Sequence, residues 1–248
     1  MNLKYVYCIL DSGEQANIAG EGFAGGKLYS ITYQQISALV SDVSAIDYNN
    51  DNIFLHEEVI ERMMSCSTVL PMRFGTVLDG EENVKAMLKQ YYQIFRRNFA
   101  RLRGCVEMGL KVIWPVDLIW QEIAGSDKIP GKQSSITGQT AGAAYLRKKY
   151  AEYHRQKALQ AKADDFVQEI NSRLNQYFTE CRLKKMVTEK MVLNGAYLVM
   201  QGRVTEFAAK IGEIKRQYPE SKFLLSGPWP PYNFIELKEG QDEFSRGK

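Results

Sequence analysis

Apolar and polar residues along this chain keep two rhythms: strict alternation over short stretches, and a helical period over longer ones. Residues 4–10, 27–33 and 37–43 are rich in apolar, β-branched and aromatic side chains and read as strands, the last two close enough for a hairpin. Asp51 or Asn52 can cap a helix marked by Ile53, Val59, Ile60, Met63 and Met64. The stretch Thr68-Val-Leu-Pro-Met-Arg-Phe-Gly-Thr-Val77 follows and reads as one strand, with Leu70, Met72, Phe74 and Thr76 on one face. Pro71 cannot donate to a ladder and argues for an edge or a strand start. Arg73 stands among apolar neighbours, so its guanidinium is expected first in a buried ion pair and second against another molecule.

Asp79 caps a further helix, with Glu81 and Glu82 in the first turn, whose apolar positions run from Val84 to Leu102 in steps of four and three. Gly104 ends it. Val106, Met108, Leu110, Val112 and Trp114 alternate with Glu107, Gly109 and Lys111, the pattern of a half-buried strand. Residues 121–139 lack any period and are expected to form a loop. From 140 to 178 the pattern is helical, with Leu159, Ala163, Phe166, Ile170, Leu174 and Tyr177 in one stripe. Unbroken, such a helix would run roughly 57 Å, so it must bend or project. Residues 186–187 and 191–200 are expected strands. Phe207, Ile211, Ile214 and Tyr218 mark a last helix, and residues 222–225 and 232–237 read as strands around a proline-rich turn.

From Cys105 the order is strand, helix, strand, strand, helix, strand, the split βαβ arrangement of a ferredoxin-like sandwich. The expected architecture is therefore α+β in two domains. Residues 1–103 form an N-terminal α+β domain, and residues 104–238 a ferredoxin-like domain with a long helix over 140–178. Residues 239–248 are expected to be a disordered tail.

Composition narrows this little. The chain has 248 residues, 45% of them apolar and 25% charged, as in ordinary globular proteins. No apolar run could span a bilayer, and the N-terminal one stops at Asp11 without a cleavage site, so a cytoplasmic protein without membrane attachment is expected. Cys8, Cys66, Cys105 and Cys181 stand far apart and read as small buried hydrophobes, not as a zinc site or disulfide framework.

Most candidate chemistry fails on context. Gly20, Gly22 and Gly25 fit G-x-G-x-x-G, yet no strand runs directly in and no helix out, so the stretch reads as a flexible connection. His56-Glu57 opens a zinc motif whose second histidine is replaced by Ile60, leaving His56 as a partly exposed helix residue. No metal, cofactor or catalytic residue is expected. Glu57, Glu58 and Glu61 read as an exposed charged surface, with Arg62 four residues after Glu58. Arginines at 96, 97, 101 and 103, and Arg147, Lys148, Lys149, Arg155, Lys157 and Lys162 on the long helix, admit a second reading. That reading is a nucleotide- or nucleic-acid-binding regulator. A net charge of +3 gives it little help. In Leu225-Ser-Gly-Pro-Trp-Pro-Pro-Tyr-Asn-Phe234 three prolines stiffen a turn. Trp229 and Phe234 either lock the final strand onto the core, or Trp229 and Tyr232 form a rigid aromatic binding patch.

These motifs together resemble the gas vesicle protein F/L family (GvpF/GvpL). The matches are Tyr5-Val-Tyr7, the Leu-Pro-Met-Arg-Phe-Gly-Thr-Val of residues 70–77, Gly104-Cys-Val-Glu-Met-Gly-Leu-Lys-Val112, Tyr145-Leu146, Asn194-Gly-Ala-Tyr-Leu-Val199 and Gly227-Pro-Trp-Pro-Pro-Tyr-Asn-Phe234. The resemblance implies two ferredoxin-like variants and a non-enzymatic role in gas vesicle assembly in the cytoplasm. It also implies contacts to the hydrophobic shell protein and to other accessory proteins. On that basis Arg73, Phe74, Trp229 and Tyr232 are the expected partner-binding residues. F-type and L-type members are not separated by these motifs.

Overall fold

The computed structural model describes residues 3–11, 20–44, 49–125, 141–184 and 188–236. The chain divides into two compact units. The first comprises the described residues of Met1–Met108, Leu198–Gly202 and Gly227–Lys248. The second comprises those of Gly109–Tyr197 and Arg203–Ser226.

The first sheet is built on β1 (Leu3–Asp11), β2 (Tyr29–Tyr33), β3 (Ile36–Val43), β4 (Val69–Pro71) and β5 (Val77–Asp79). Its order is β2-β3-β1-β4, and β5 also pairs with β1. All these pairings are antiparallel, and β2 and β3 form the expected hairpin. This is the ferredoxin-like strand order. Between β1 and β2, however, the described residues hold a 3-10 turn, Phe23–Gly25, and no α-helix. Helices α1 (Asn50–Met64), α2 (Gly80–Gln90) and α3 (Tyr92–Leu102) pack on this sheet. Asn49, not Asp51 or Asn52, caps α1, its side chain accepting from the Asn52 N–H at 2.8 Å. Tyr91 leaves helical geometry and divides the expected single helix into α2 and α3.

The second sheet has the order β7-β8-β6-β9, formed by β6 (Cys105–Ile113), β7 (Glu180–Leu183), β8 (Met191–Met200) and β9 (Lys222–Trp229). With helices α4 (Val116–Gly125), α5 (Ala141–Leu174) and α6 (Val204–Lys215), this is the split βαβ order expected from Cys105 onward. Leu159, Ala163, Ile170 and Leu174 of α5 are buried, as are Phe207, Ile211 and Ile214 of α6.

Several expectations change. The single strand over 68–77 is two three-residue strands, β4 and β5, parted by residues 72–76. Residues 121–125, expected in a loop, complete α4, where Val116 and Ile123 are buried seven residues apart on one face. The final strand over 232–237 is a 3-10 turn, Tyr232–Phe234. The cysteines divide: Cys8 is buried, Cys66 is exposed, and Cys105 and Cys181 are intermediate. The expected strand at 186–187 and the tail at 239–248 lie outside the described residues.

Candidate functional site

Two neighbourhoods hold the residues singled out by sequence, and both involve α1. The first is the connection from β4 to β5. Its backbone is tied to β1: Met72 N–H donates to the Tyr7 carbonyl at 2.9 Å, and Val6 N–H to the Thr76 carbonyl at 2.9 Å. Gly75 N–H donates to the Tyr5 hydroxyl at 3.1 Å, and Gly75 holds a positive φ of 86° that favours glycine. Phe74 turns inward, its ring 6.3 Å from those of Tyr5 and Phe23 and 5.7 Å from His56. Arg73 turns outward, is exposed, and holds no ion pair among the described residues. The expected buried ion pair is therefore corrected: where 68–77 does not continue as a strand, residue 73 leaves the core face.

His56 is also corrected. It is 2% exposed, lodged against Tyr5, Tyr7 and Phe74. Its Nδ1 lies 2.9 Å from the Tyr5 hydroxyl and its Nε2 3.1 Å from the Met72 carbonyl. Burial pushes its pKa down to about 4, against the lesser upward pull of the Met72 hydrogen bond. The glycine stretch at 20–25 feeds the same cluster. Phe23 N–H donates to the Tyr7 hydroxyl at 3.0 Å, and a Cβ on Gly22 would lie 2.4 Å from that oxygen. The stretch expected as a flexible connection is, at Gly22–Gly26, a hydrogen-bonded turn that buries Phe23.

The second neighbourhood is a cleft of about 210 Å³ lined by Glu57, Glu61, Glu107, Trp229, Pro230, Tyr232 and Asn233. Glu57 and Glu61 stand one turn apart on α1, both exposed. The Trp229–Asn233 wall is fixed from behind. Asn233 donates its backbone N–H and its side-chain amide to the two Glu107 oxygens, at 2.9 and 2.5 Å. Glu236 N–H donates to Asn98 Oδ1 at 3.0 Å, and Asn98 Nδ2 returns a bond to the Glu236 carbonyl at 3.0 Å. Arg101 donates to the Phe234 carbonyl, and Phe234 is fully buried. A Cβ on Gly227 would lie 2.7 Å from the Glu107 carbonyl, so only glycine lets this segment approach β6 so closely.

So Phe234 locks the segment while Trp229 and Tyr232 stay exposed at 41% and 37%. Of the two residues expected to lock the strand, Phe234 is buried and Trp229 is not. Trp229 and Tyr232 share the cleft; Phe74 belongs to the aromatic cluster, and Arg73 is not among the cleft residues. Alternation puts Glu107 on the exposed face of its strand, yet it is 6% exposed. No local signal could reveal this, because Asn233, the residue that satisfies it, lies 126 positions away.

The cations behind the nucleic-acid reading are largely engaged within the protein. Arg96 and Arg103 both pair with buried Asp11, at 3.0 and 2.6 Å. Lys162 pairs with Glu122, Lys149 with Glu152, and the Arg155 guanidinium lies 4.7 Å from the centre of the Trp120 ring. That reading gains no support. Among the described residues no group of His, Cys, Asp and Glu could hold a metal ion, and no helix is long and apolar enough to cross a membrane.

Comparison with known proteins places this geometry. A family model described as gas vesicle synthesis protein GvpL/GvpF matches residues 3–236. Gas vesicle protein F1 of Halobacterium salinarum is 25% identical, with 98% of each chain covered. Gas vesicle protein L1 of the same organism is 23% identical over 94% of this chain and 90% of its own. Among solved structures, that of GvpF from Anabaena sp. PCC7120 superposes with a TM-score of 0.81 at 20% identity, covering 98% of this chain and 99% of the other. GvpF from Microcystis aeruginosa gives 0.79 at 22% identity, covering 96% and 100%.

Proposed function

We propose that this chain, which belongs to the gas vesicle synthesis protein family GvpL/GvpF, is a non-enzymatic accessory protein that binds the hydrophobic shell protein, other gas vesicle accessory proteins, or both while vesicles are nucleated. Involvement in gas vesicle formation follows from the family; the partner and the step are our reading. It acts in the cytoplasm, at the growing vesicle, and needs no cofactor.

The observation that carries this reading is the Trp229–Tyr232 wall. Exposed aromatic side chains on a segment already held by Glu107, Asn98 and Arg101 lose little conformational freedom on binding, which is what a contact hot spot needs. Arg73 is a second, separate contact point, and Phe74 sets the loop that presents it. Co-expression with a gas vesicle shell protein, followed by co-purification at moderate salt, tests the reading. Capture is expected, and Trp229→Ser should reduce it while the variant keeps a cooperative unfolding transition. A folded chain that captures neither the shell protein nor any co-expressed accessory protein would overturn it.

A further inference from the structure

The cleft has an electrostatic character that packing does not require. Glu57 and Glu61 carry no ion pair among the described residues; the neighbouring Arg62 is taken by Glu58 at 2.8 Å. Glu107 is buried, and its two hydrogen bonds come from the neutral donors of Asn233, so it too lacks a counter-charge among the described residues. A carboxylate left ionised and buried without a cation is costly, and a cation placed nearby recovers part of that cost. The Tyr232 hydroxyl, which holds no hydrogen bond among the described residues, reports the same field. Burial raises its pKa first, and the nearby carboxylates of Glu57, Glu61 and Glu107 raise it further. Three uncompensated carboxylates thus face a space walled by the rings of an exposed tryptophan and an exposed tyrosine.

We infer that this cleft receives one arginine side chain presented by a partner protein. A guanidinium is weakly hydrated and planar. It can lie against the face of an indole or phenol ring while its N–H groups reach the Glu57 and Glu61 carboxylates. The cleft volume of about 210 Å³ admits one long side chain and excludes a folded element, so the contact anchors a segment and does not bury a surface. Pro230, buried in the wall, keeps Trp229 and Tyr232 apart at a fixed spacing. This inference rests on the assembly reading only for the partner's identity; the recognition chemistry stands on the cleft itself.

The test uses the full chain labelled with fluorotryptophan and observed by fluorine NMR. Its tryptophans are Trp114, Trp120 and Trp229, and Trp229→Phe assigns the last resonance. The probe is a short capped peptide with one arginine between leucines, compared with the same peptide carrying neutral citrulline. The arginine peptide should shift the Trp229 resonance saturably, and citrulline should weaken binding about tenfold or more, as loss of a cation–π and charge contact implies. The double variant Glu57→Gln/Glu61→Gln, altered only at exposed positions, should weaken the arginine peptide similarly while leaving the other tryptophan resonances in place. Equal response to both peptides, or an unchanged response in the double variant, would overturn the inference. Either failure with shell-protein capture intact would remove the arginine receptor and leave the assembly reading standing. A normal peptide response without capture would do the reverse.

Discussion

At Nε2 His56 donates to the Met72 carbonyl, and at Nδ1 it accepts from the Tyr5 hydroxyl, which in turn accepts from Gly75 N–H. This arrangement suits a neutral imidazole, whose one ring proton goes to the Met72 carbonyl. A second ring proton would face the Tyr5 oxygen in a water-excluded site, so the folded protein holds its pKa near 4, below the ordinary value of 6.5. Between those values the unfolded chain binds the additional proton. The stability that His56 contributes is therefore complete above about pH 6.5 and is lost as pH falls towards about 4, by roughly 3 kcal/mol at most. Urea unfolding of the parent and of His56→Gln at pH 7 and pH 4.5 checks this: the stability difference between them should narrow on acidification, and a constant difference would refute it. Arg73→Met, by contrast, should leave stability within about 0.5 kcal/mol of the parent, because the side chain is exposed and unpaired among the described residues. Sequence inverts this pair because its signals are local. The rings that enclose His56 come from Tyr5, Tyr7 and Phe74, brought in by strand pairing.

Elements are more legible than residues wherever a long period repeats. The bounds of β8 coincide with the expected 191–200, and the stripe at Leu159, Ala163, Ile170 and Leu174 is the buried face of α5. Short elements escape. Three residues each in β4 and β5 cannot show a period, and the loop expected from Gln121 hides a helix end whose only buried residues are Val116 and Ile123. Helix α5 itself changes character along its length. Ile170 and Leu174 are fully buried, whereas Tyr145, Leu146, Tyr150 and Tyr153 are exposed at 61%, 57%, 46% and 60%. Few buried apolar contacts mean low local stability. Amide exchange at residues 144–153 should therefore outpace that at 163–174. Leu146→Ser should cost no more than about 0.5 kcal/mol, whereas Ile170→Ala should cost about 2–5 kcal/mol for its cavity. Equal protection along the helix would mean that the exposed stripe is covered, for instance by a second molecule.

For the whole molecule, the order of elements is readable and the assignment of segments to cores is not. Sequence suggests a boundary near Gly104, whereas the fold gathers the described residues of Met1–Met108, Leu198–Gly202 and Gly227–Lys248 into one unit. What joins the last of these to the first is specific. Phe234 is fully buried, Asn233 supplies both hydrogen bonds to buried Glu107, and Asn98 and Arg101 of α3 hold Glu236 and Phe234. For residues 1–103, loss of the segment opens the Phe234 site and strands the Asn98 amide. The losses cost about 1–3 kcal/mol for the polar group, and about 3–5 kcal/mol for the phenylalanine. Their sum reaches the lower part of the stability range of an ordinary domain, about 5–15 kcal/mol. A fragment of residues 1–103 should therefore lack a cooperative urea transition, and Phe234→Ala in the full chain should lower the unfolding free energy by about 3–5 kcal/mol. If the fragment instead unfolds cooperatively, the boundary near Gly104 separates independent domains, and the Trp229–Tyr232 wall is an addition to a core complete without it. If it does not, the N-terminal sheet depends on the segment that carries the wall. The cleft with Glu57 and Glu61 then forms only when the N-terminal sheet has the Trp229–Phe234 segment in place, so a chain lacking that segment can engage no partner there.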